Sequence, residues 1–397
     1  MIEYGSKNEF QRLQMGKLIG LAQAFPVVAI VGPRQSGKTT LSRTTFPDYQ
    51  YVSLEDLDHR EFALQDPRGF LSQYSGGVII DEIQRVPSLF SYIQTQVDSN
   101  DQPGQYILTG SAHLMLLENL TQSLAGRAAL LKLLPLSFAE LQKHDCLKTA
   151  CVEQLFTGFY PRIYKHSIDP VDWYPNYIQT YLEKDVREMV NIKKLTEFKR
   201  FVALCAGRHG QLLDITSLAN DAGISRVTAK EWLSLLEASF LIYLLPPFHN
   251  NYSKRLIKSP KLYFYDSGLV CSLLKIKTTD QLETHYLKGA IFEGCMITEV
   301  IKRRYNQGLE PHIYFWKESN GKEIDCIIEQ ANQLLSIEIK SGKTINADFF
   351  KGLTYWQTLS GEKPENSYLI YGGDHVQQRQ AASVLGWRDT EMLLDQV

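Results

Sequence analysis

The stretch GPRQSGKT, residues 32–39, decides the fold of the amino-terminal part of this chain. It follows the apolar run VVAIV, residues 27–31, and precedes a helical pattern, so it fits GxxxxGK[ST] between a strand and a helix. Glycines let backbone N–H groups turn towards phosphates, and the start of the helix adds a favourable dipole. The sequence therefore predicts a phosphate-binding loop (P-loop) in an α/β domain with a parallel sheet.

Most of this loop is expected to contact a bound nucleotide. Lys38 should reach the β- and γ-phosphates, and the Thr39 hydroxyl should bind Mg²⁺. Arg34 is expected either to bind the nucleotide or simply to brace the loop. A chance glycine-rich turn is the alternative interpretation. The residues predicted to bind the nucleotide are Gly32, Pro33, Arg34, Gln35, Ser36, Gly37, Lys38, Thr39 and Thr40.

Two later apolar runs end in polar side chains. GGVIIDEIQ predicts a buried strand ending in Asp81 and Glu82, where Asp81 can hold the water shell of Mg²⁺ and Glu82 can orient or deprotonate a water. Acidic pairs also occur at ordinary strand ends, but here the pair has the spacing from the P-loop that such a site needs. YILTGS predicts a third strand, whose Thr109 and Ser111 would sense the γ-phosphate or simply cap a helix.

Length and composition indicate a multidomain protein of ordinary charge. The chain has 397 residues, with Lys plus Arg 42, Asp plus Glu 44 and a formal net charge of -2, which excludes a uniformly basic nucleic-acid-binding protein. Its six cysteines form no CxxC pair, which argues against a zinc site or a disulfide scaffold. The start of the chain does not resemble a signal peptide, and no apolar run is long enough for a membrane span. We therefore expect a cytoplasmic protein.

Three regions differ in pattern. Residues 1–142 alternate helical stretches with short apolar runs, as in a parallel sheet buried on both faces. Residues 143–285 are mostly helical. Residues 286–397 are mixed and contain a predicted hairpin, KEIDCIIEQ-AN-QLLSIEIK. The predicted fold class is α/β and multidomain.

Several motifs together resemble a known family. GPRQSGKTTL, VIIDEIQ, ILTGSA, SLAGRA and LPLSFAEL occur in the order found in a group of bacterial and archaeal AAA-like P-loop ATPases. The resemblance implies binding and hydrolysis of ATP with Mg²⁺. It also makes Arg127, in SLAGRA, a candidate arginine finger that acts within the chain or in a neighbouring copy. An arginine paired with a surface carboxylate is the alternative, and an oligomer is a further possibility.

The same resemblance implies a helical lid followed by a winged-helix module. FTGFYPRIY and TYLEKDVREM match the lid, and LLDITSLANDAGISRVTAKEW has the spacing of a helix-turn-helix with Gly223 at the turn. Its second helix, capped by Ser225, would expose Arg226, Lys230 and Glu231. Contact with DNA and contact with a protein partner both stay open. A basic cluster is predicted just downstream, consisting of Lys254, Arg255, Lys258 and Lys261 with Tyr252.

The C-terminal region carries a second candidate site. Glu338 and Lys340 are two apart in a strand and share a face, and the hairpin turn would bring Asp325 within reach. Two carboxylates and a lysine can form a Mg²⁺-assisted phosphodiesterase site, with Glu293 as a further acidic group and Glu299 as its competitor. The spacing resembles the PD-(D/E)xK restriction-endonuclease-like fold and the accessory domain of the same ATPase family. An ion-paired hairpin without nuclease activity is the alternative.

These patterns leave three hypotheses for function. The first is an ATPase that moves a winged-helix and nuclease-like tail on DNA or on a protein. The second is a nucleotide-gated interaction switch whose tail is not catalytic. The third is a nuclease whose activity requires ATP.

Overall fold

The computed structural model describes residues 9–110, 123–182, 195–248, 257–330 and 333–394, whose strands form three sheets. The first sheet has the order β2-β3-β4-β1-β5, and every neighbouring pair is parallel. The carboxyl ends of its strands therefore share one edge, the usual position of a ligand site in α/β proteins. Its strands are β1 (Val27–Val31), β2 (Gln50–Ser53), β3 (Val78–Asp81), β4 (Tyr106–Gly110) and β5 (Ala128–Lys132).

Helices cover both faces of this sheet. Every residue of β1, β3 and β4 is buried, as their unbroken apolar runs predict. Leu18 and Leu41 pack on one face, while Phe70, Phe90 and Ile93 pack on the other. The helices are α1 (Met15–Ala24), α2 (Lys38–Thr45), α3 (Leu57–Gln65), α4 (Pro67–Ser72) and α5 (Leu89–Ser99).

The middle region is mostly helical, as predicted, and includes a small antiparallel sheet of order β6-β8-β7. FTGFYPRIY spans the end of α7 and most of α8, whereas TYLEKDVREM lies largely outside the described residues. The elements are α6 (Phe138–Lys143), α7 (Cys151–Thr157), α8 (Pro161–Lys165), α9 (Pro170–Tyr177), α10 (Leu195–Gly207), β6 (Gln211–Leu212), α11 (Ile215–Ala222), α12 (Arg226–Ala238), β7 (Ile242–Leu245), β8 (Lys261–Phe264), α13 (Ser267–Leu273) and α14 (Thr279–Thr284).

The predicted helix-turn-helix is present as α11 and α12. Gly223 has a φ of 75° at the turn, where glycine avoids a steric penalty, and the Ser225 hydroxyl accepts from the Thr228 N–H at 3.0 Å to cap α12. Ala229 and Trp232 are buried, while Val227 is 67% exposed. The face of α12 that is open to solvent therefore includes Arg226, Val227, Lys230 and Glu231.

The C-terminal region contains a mixed six-stranded sheet of order β13-β14-β12-β11-β10-β9. The predicted hairpin is confirmed as the antiparallel pair of β10 and β11. Trp356 and Leu353 of α16 pack on Ile324 and Ile327 of that hairpin. The elements are α15 (Lys288–Asn306), β9 (Ile313–Lys317), β10 (Glu323–Gln330), β11 (Gln333–Lys340), α16 (Lys351–Ser360), β12 (Ser367–Tyr371), β13 (Gln377–Gln378), β14 (Ser383–Gly386) and α17 (Glu391–Leu394).

One buried apolar cluster includes side chains from all three regions. Short 3₁₀ turns occupy Ile83–Arg85, Ala347–Phe350 and Pro364–Asn366, and Ile178–Leu182 forms a π-helical turn. Within the described ranges, no helix has both the length and the apolar character that crossing a membrane requires.

Candidate functional site

The P-loop joins β1 to α2 in a conformation that depends on glycine. Gly32 has a φ of 154°, and a Cβ built on it would lie 2.0 Å from the Leu133 carbonyl oxygen. Gln35 and Gly37 also have positive φ values, of 61° and 98°. Such alternation turns successive backbone N–H groups towards one concave side, which suits an anion.

Lys38 is the first residue of α2, and its ammonium group is buried against the loop. The Nζ atom donates to the carbonyl oxygens of Gly32 and Pro33, both at 2.9 Å. Burial lowers the pKa of Lys38 from 10.5 to about 8, although the nearby carboxylates of Glu82 and Asp81 oppose this shift. A phosphate would supply the negative charge that the two neutral carbonyl groups lack.

Asp81, at the end of β3, accepts hydrogen bonds from three hydroxyl groups. Thr39 Oγ1 and the Tyr51 hydroxyl donate to Asp81 Oδ2 at 2.9 Å and 2.8 Å, and the buried Thr109 hydroxyl donates to Oδ1. The Thr39 hydroxyl and the Asp81 carboxylate are adjacent oxygen ligands of the kind that Mg²⁺ prefers, so these residues fit that ion. Ser111 lies outside the described residues.

Tyr51 was not predicted as part of this site. Burial and the charge of Asp81 raise the pKa of Tyr51 to about 12, so its hydroxyl stays a donor. The sequence QYVS gives no signal of this contact. Tyr51 comes near Asp81 because β2 pairs with β3, and that pairing cannot be inferred from the sequence of β2.

Glu82 follows Asp81 with a φ of 55°, a left-handed conformation that is uncommon for a non-glycine residue. Its N–H donates to Asp81 Oδ1 at 3.1 Å, and its carboxylate accepts from the Gln84 side chain. The structure therefore brings Lys38, Thr39, Asp81 and Glu82 together as the motif spacing predicts.

Arg127 lies at the opposite edge of the sheet. It directly precedes β5, and its carbonyl oxygen accepts from the N–H of Val27, the first residue of β1. The length of β1, roughly 13 Å at ~3.3 Å per residue, separates it from the P-loop. Its guanidinium forms an ion pair with Asp98, and both side chains are partly exposed. The structure therefore does not bring Arg127 to the nucleotide site of its own chain, and its role as an arginine finger stays a prediction.

The Arg34 guanidinium lies 4.0 Å from the exposed Glu55 carboxylate. Arg12 was not predicted, yet it is buried and its Nη1 donates to the Ser36 carbonyl oxygen within the P-loop at 2.5 Å. It stands in a stretch without periodicity, so the sequence contained no signal for this contact.

The C-terminal residues also come together. Lys340 Nζ lies 3.0 Å from Asp325 Oδ2 and 2.5 Å from Glu338 Oε2, and the Ile339 N–H donates to Asp325 at 2.8 Å. Burial and the Asp325 charge raise the pKa of Glu338, whereas the two lysines Lys340 and Lys261 keep the pKa of Asp325 below its ordinary value despite burial. The two carboxylates therefore share one ammonium group.

Lys261 belongs to this cluster, so its predicted place in an exposed basic patch is wrong. It is 4% exposed, and its Nζ lies 2.9 Å from Glu293 on α15 and 2.5 Å from Glu323 on β10. Burial and the Asp325 charge raise the pKa of Glu293. Lys258 is exposed, while Tyr252, Lys254 and Arg255 lie outside the described residues.

We refer to Lys261, Glu293, Glu323, Asp325, Glu338 and Lys340 as the carboxylate–lysine cluster. A pocket of about 500 Å³ opens beside it, lined in part by Lys261, Glu293, Glu323 and Asp325. Within the described ranges, no three His, Cys, Asp or Glu residues are placed to hold a metal ion. Ammonium groups stand between the carboxylates, so the arrangement as it stands does not fit a metal site.

Glu299, the alternative to Glu293 as the further acidic group of the predicted nuclease site, binds other partners. It forms a buried ion pair with Lys302 at 2.7 Å, and its second oxygen accepts from the Phe138 N–H at 2.7 Å. Of the two glutamates on α15, Glu293 is therefore the one near Asp325.

Comparison with known proteins finds a family model that matches each of the three regions. A family model described as AAA domain matches residues 24–142. Two models described as domains of unknown function, DUF8612 and DUF4143, match residues 148–280 and 288–389. The AAA match and the P-loop geometry together support nucleotide binding by the first region.

Among relatives, the uncharacterized proteins Mb2031c of Mycobacterium bovis and Rv2008c of Mycobacterium tuberculosis are each 32% identical over 326 residues, covering 80% of this chain and 71% of the relative. A solved structure, the Walker-type ATPase PABY2304 of Pyrococcus abyssi, aligns with a TM-score of 0.45 and 15% identity, covering 68% of this chain and 96% of that one. Because the mycobacterial proteins share this identity over more than two thirds of their length, the chain belongs to their family, and its first region is an AAA-like P-loop domain.

Proposed function

We propose that this protein binds ATP with Mg²⁺ at the P-loop and hydrolyses it. The observation that carries the proposal is the position of Lys38, Thr39 and Asp81 at one edge of the parallel sheet, with Glu82 beside Asp81. An ammonium group, a hydroxyl and a carboxylate in this arrangement match what a Mg²⁺-bound triphosphate needs.

Each residue then has a distinct role. Lys38 exchanges its two carbonyl acceptors for phosphate oxygens, and Thr39 and Asp81 hold Mg²⁺ directly or through its water shell. When bound, Mg²⁺ supplies positive charge to the phosphate oxygens. Glu82 accepts a proton from the water that attacks the γ-phosphorus, while the bond to ADP breaks. Thr109 fixes the orientation of Asp81 through its hydroxyl.

We further propose that nucleotide turnover drives movement of the middle and C-terminal regions on a partner. We propose that α10, α11 and α12 form a winged helix with the sheet of order β6-β8-β7, because three helices and a small antiparallel sheet are the elements of that module. The exposed Arg226 and Lys230 of α12 are suited to DNA phosphates. A protein partner on the same face is the alternative.

For the C-terminal domain, the mixed sheet with Asp325, Glu338 and Lys340 in contact supports a relation to the PD-(D/E)xK fold. A specific observation favours a tail without nuclease activity, because Lys261 and Lys340 already neutralise the carboxylates. This supports the second candidate function, a nucleotide-gated interaction switch with a non-catalytic tail.

The experiment is steady-state ATP turnover of the purified protein with Mg²⁺, with and without double-stranded DNA. Lys38→Ala should abolish turnover, and Glu82→Gln should keep ATP binding but lose turnover by about 10²–10⁴-fold. DNA stimulation in the wild type would support action on DNA, and turnover indifferent to DNA would point to a protein partner. ATP binding without turnover would favour the switch, and absence of ATP binding would contradict the whole proposal.

A further inference from the structure

Arg12 connects the P-loop to the polypeptide that follows β5. Its guanidinium donates from Nη1 to the Ser36 carbonyl oxygen at 2.5 Å, from Nη2 to the Leu134 carbonyl oxygen at 2.7 Å and from Nε to Glu140 Oε1 at 2.9 Å. It is 5% exposed. Three different acceptors in fixed positions match the planar, forked donors of arginine, which a lysine could not replace.

Glu140 is itself tightly held. Its Oε1 also accepts from the Leu13 N–H at 2.8 Å, and its Oε2 accepts from the Ser137 N–H at 2.9 Å, which completes a capping box at the start of α6. Arg12 and these N–H donors lower the pKa of Glu140 against the effect of burial. The carboxylate is therefore ionised and fixes the side chain of Arg12.

We define residues 133–140, which link β5 to the first turn of α6, as the brace segment. Besides the link through Arg12, this segment contacts the P-loop directly at Gly32. A Cβ built on Gly32 would lie 2.0 Å from the Leu133 carbonyl oxygen. The Leu133 N–H also donates to the Val31 carbonyl oxygen at 2.8 Å, just before the loop. The brace segment thus contacts the start of the P-loop directly and reaches Ser36 through Arg12.

The opposite side of the brace segment binds α15 of the C-terminal region. Lys302 Nζ donates to the Leu136 carbonyl oxygen at 2.7 Å and lies over the Phe159 ring at 3.7 Å from its centroid. Glu299 accepts from the Phe138 N–H and pairs with Lys302. Both side chains are buried, so this contact excludes water and has a defined geometry.

We propose that Arg12 is a positioning residue for the phosphate-binding loop, and that the brace segment couples nucleotide occupancy of the loop to α15. This proposal rests on the nucleotide binding proposed above. A phosphate that orders Ser36 and its neighbours also orders Arg12 and Glu140, and through residues 134–138 it stabilises the contacts of Glu299 and Lys302. The same helix carries Glu293, so the nucleotide state reaches the carboxylate–lysine cluster.

The first test measures affinity for a non-hydrolysable ATP analogue. Arg12→Met alone leaves the Glu140 charge buried, so it is compared with the pair Arg12→Met, Glu140→Gln, which removes both charges together. We expect about a tenfold or greater loss of affinity in the double variant, since the Ser36 carbonyl loses its donor. Arg162→Met, on an exposed side chain of α8, is the control and should bind as the wild type does.

The second test follows backbone hydrogen exchange with and without the analogue in the wild type and in the double variant. In the wild type, nucleotide should slow exchange in residues 133–141 and 288–306. In the double variant at saturating analogue, α2 should still be protected, but α15 should not respond. A merely structural role for Arg12 would leave the response of α15 unchanged.

The outcomes separate the two proposals. Failure of the wild type to bind the analogue would contradict the proposed function itself. Binding by the wild type with equal affinity in the double variant would overturn the positioning role. Loss of affinity without any nucleotide response of α15 in the wild type would overturn the coupling through the brace segment.

Discussion

At the scale of single residues, the nucleotide site combines a buried cation, Lys38, with an anion, Asp81, that accepts hydrogen bonds from neutral groups. Lys38 bonds to carbonyl oxygens, and Asp81 bonds to Thr39, Tyr51 and Thr109. Neither charged group has a directly bonded partner of opposite sign in these contacts. Buried charges in such surroundings are costly unless a ligand compensates them, so the site is suited to taking up an anion and a cation together.

The lowered pKa of Lys38 makes nucleotide binding depend on pH. Phosphate binds the ammonium form, so affinity should be constant below about pH 8 and weaken as Lys38 deprotonates above it. The stability of the protein without nucleotide should change in the opposite direction. The unfolded state, with a pKa of 10.5, holds more protons between about pH 8 and pH 10.5, so the contribution of Lys38 to the free energy of unfolding rises over this range.

The measurement is binding of a fluorescent ATP analogue between pH 6.5 and pH 9.5, with the range chosen to span the value of about 8. Lys38→Arg is the control, because arginine stays charged throughout and should remove the pH dependence of whatever affinity remains. An affinity that falls equally in both proteins would show that another group titrates.

At the scale of elements, the parallel sheet and the β10–β11 hairpin could be predicted because both depend on local patterns. Unbroken apolar runs mark strands buried on two faces, and alternation marks the hairpin. The glycine-containing loop after β1 and the acidic end of β3 likewise follow from spacing along the chain.

Contacts between distant parts of the chain could not be predicted in this way. Arg12 reaches Glu140 across 128 residues, and Lys261 reaches Glu293 across 32. A lysine is usually exposed, so the burial of Lys261 follows only from tertiary contacts such as those with Glu293 and Glu323. The distance of Arg127 from the P-loop of its own chain could not be predicted for a similar reason, since the direction of β5 decides which edge of the sheet it occupies.

Replacing a glycine by alanine should have opposite effects in the P-loop and in α1. Gly32→Ala places a Cβ 2.0 Å from the Leu133 carbonyl oxygen, so the P-loop must shift and nucleotide binding should be lost. Gly20→Ala in the middle of α1 meets no atom within 4 Å and should stabilise the helix by about 0.5–1 kcal/mol. Urea unfolding and analogue binding are measured on both. Normal binding by Gly32→Ala would contradict the described loop conformation.

At the scale of the whole molecule, the carboxylate–lysine cluster joins two regions. Lys261 and residues 210–212 come from the middle region, while Glu293, Glu323 and Asp325 come from the C-terminal region. Because the pairing is buried on both sides, the two regions are held in one relative position by charges that compensate one another.

Replacing Lys261 should therefore destabilise the protein rather than weaken contact with a ligand. We expect Lys261→Met to lower the free energy of unfolding by about 3 kcal/mol, because Glu293 and Glu323 lose the buried ammonium group. Adding Glu293→Gln should recover part of this loss. Lys317→Met removes the more exposed partner of Glu323, so it is the control and should cost under about 1 kcal/mol. Urea unfolding measures all three, and equal effects of the two lysine changes would exclude a special role for Lys261.

The contacts of Gln14 have a consequence for the synthesis of this chain on the ribosome. Its side-chain amide donates to the Lys132 carbonyl oxygen at 2.7 Å and to that of Tyr305, 291 residues later, at 2.8 Å. At ~5–20 residues per second, a ribosome needs about 15–60 s to make the polypeptide between the two. For that interval the amino-terminal region exists without its last partner, so a nascent chain stalled before α15 has a P-loop domain whose contacts are still incomplete.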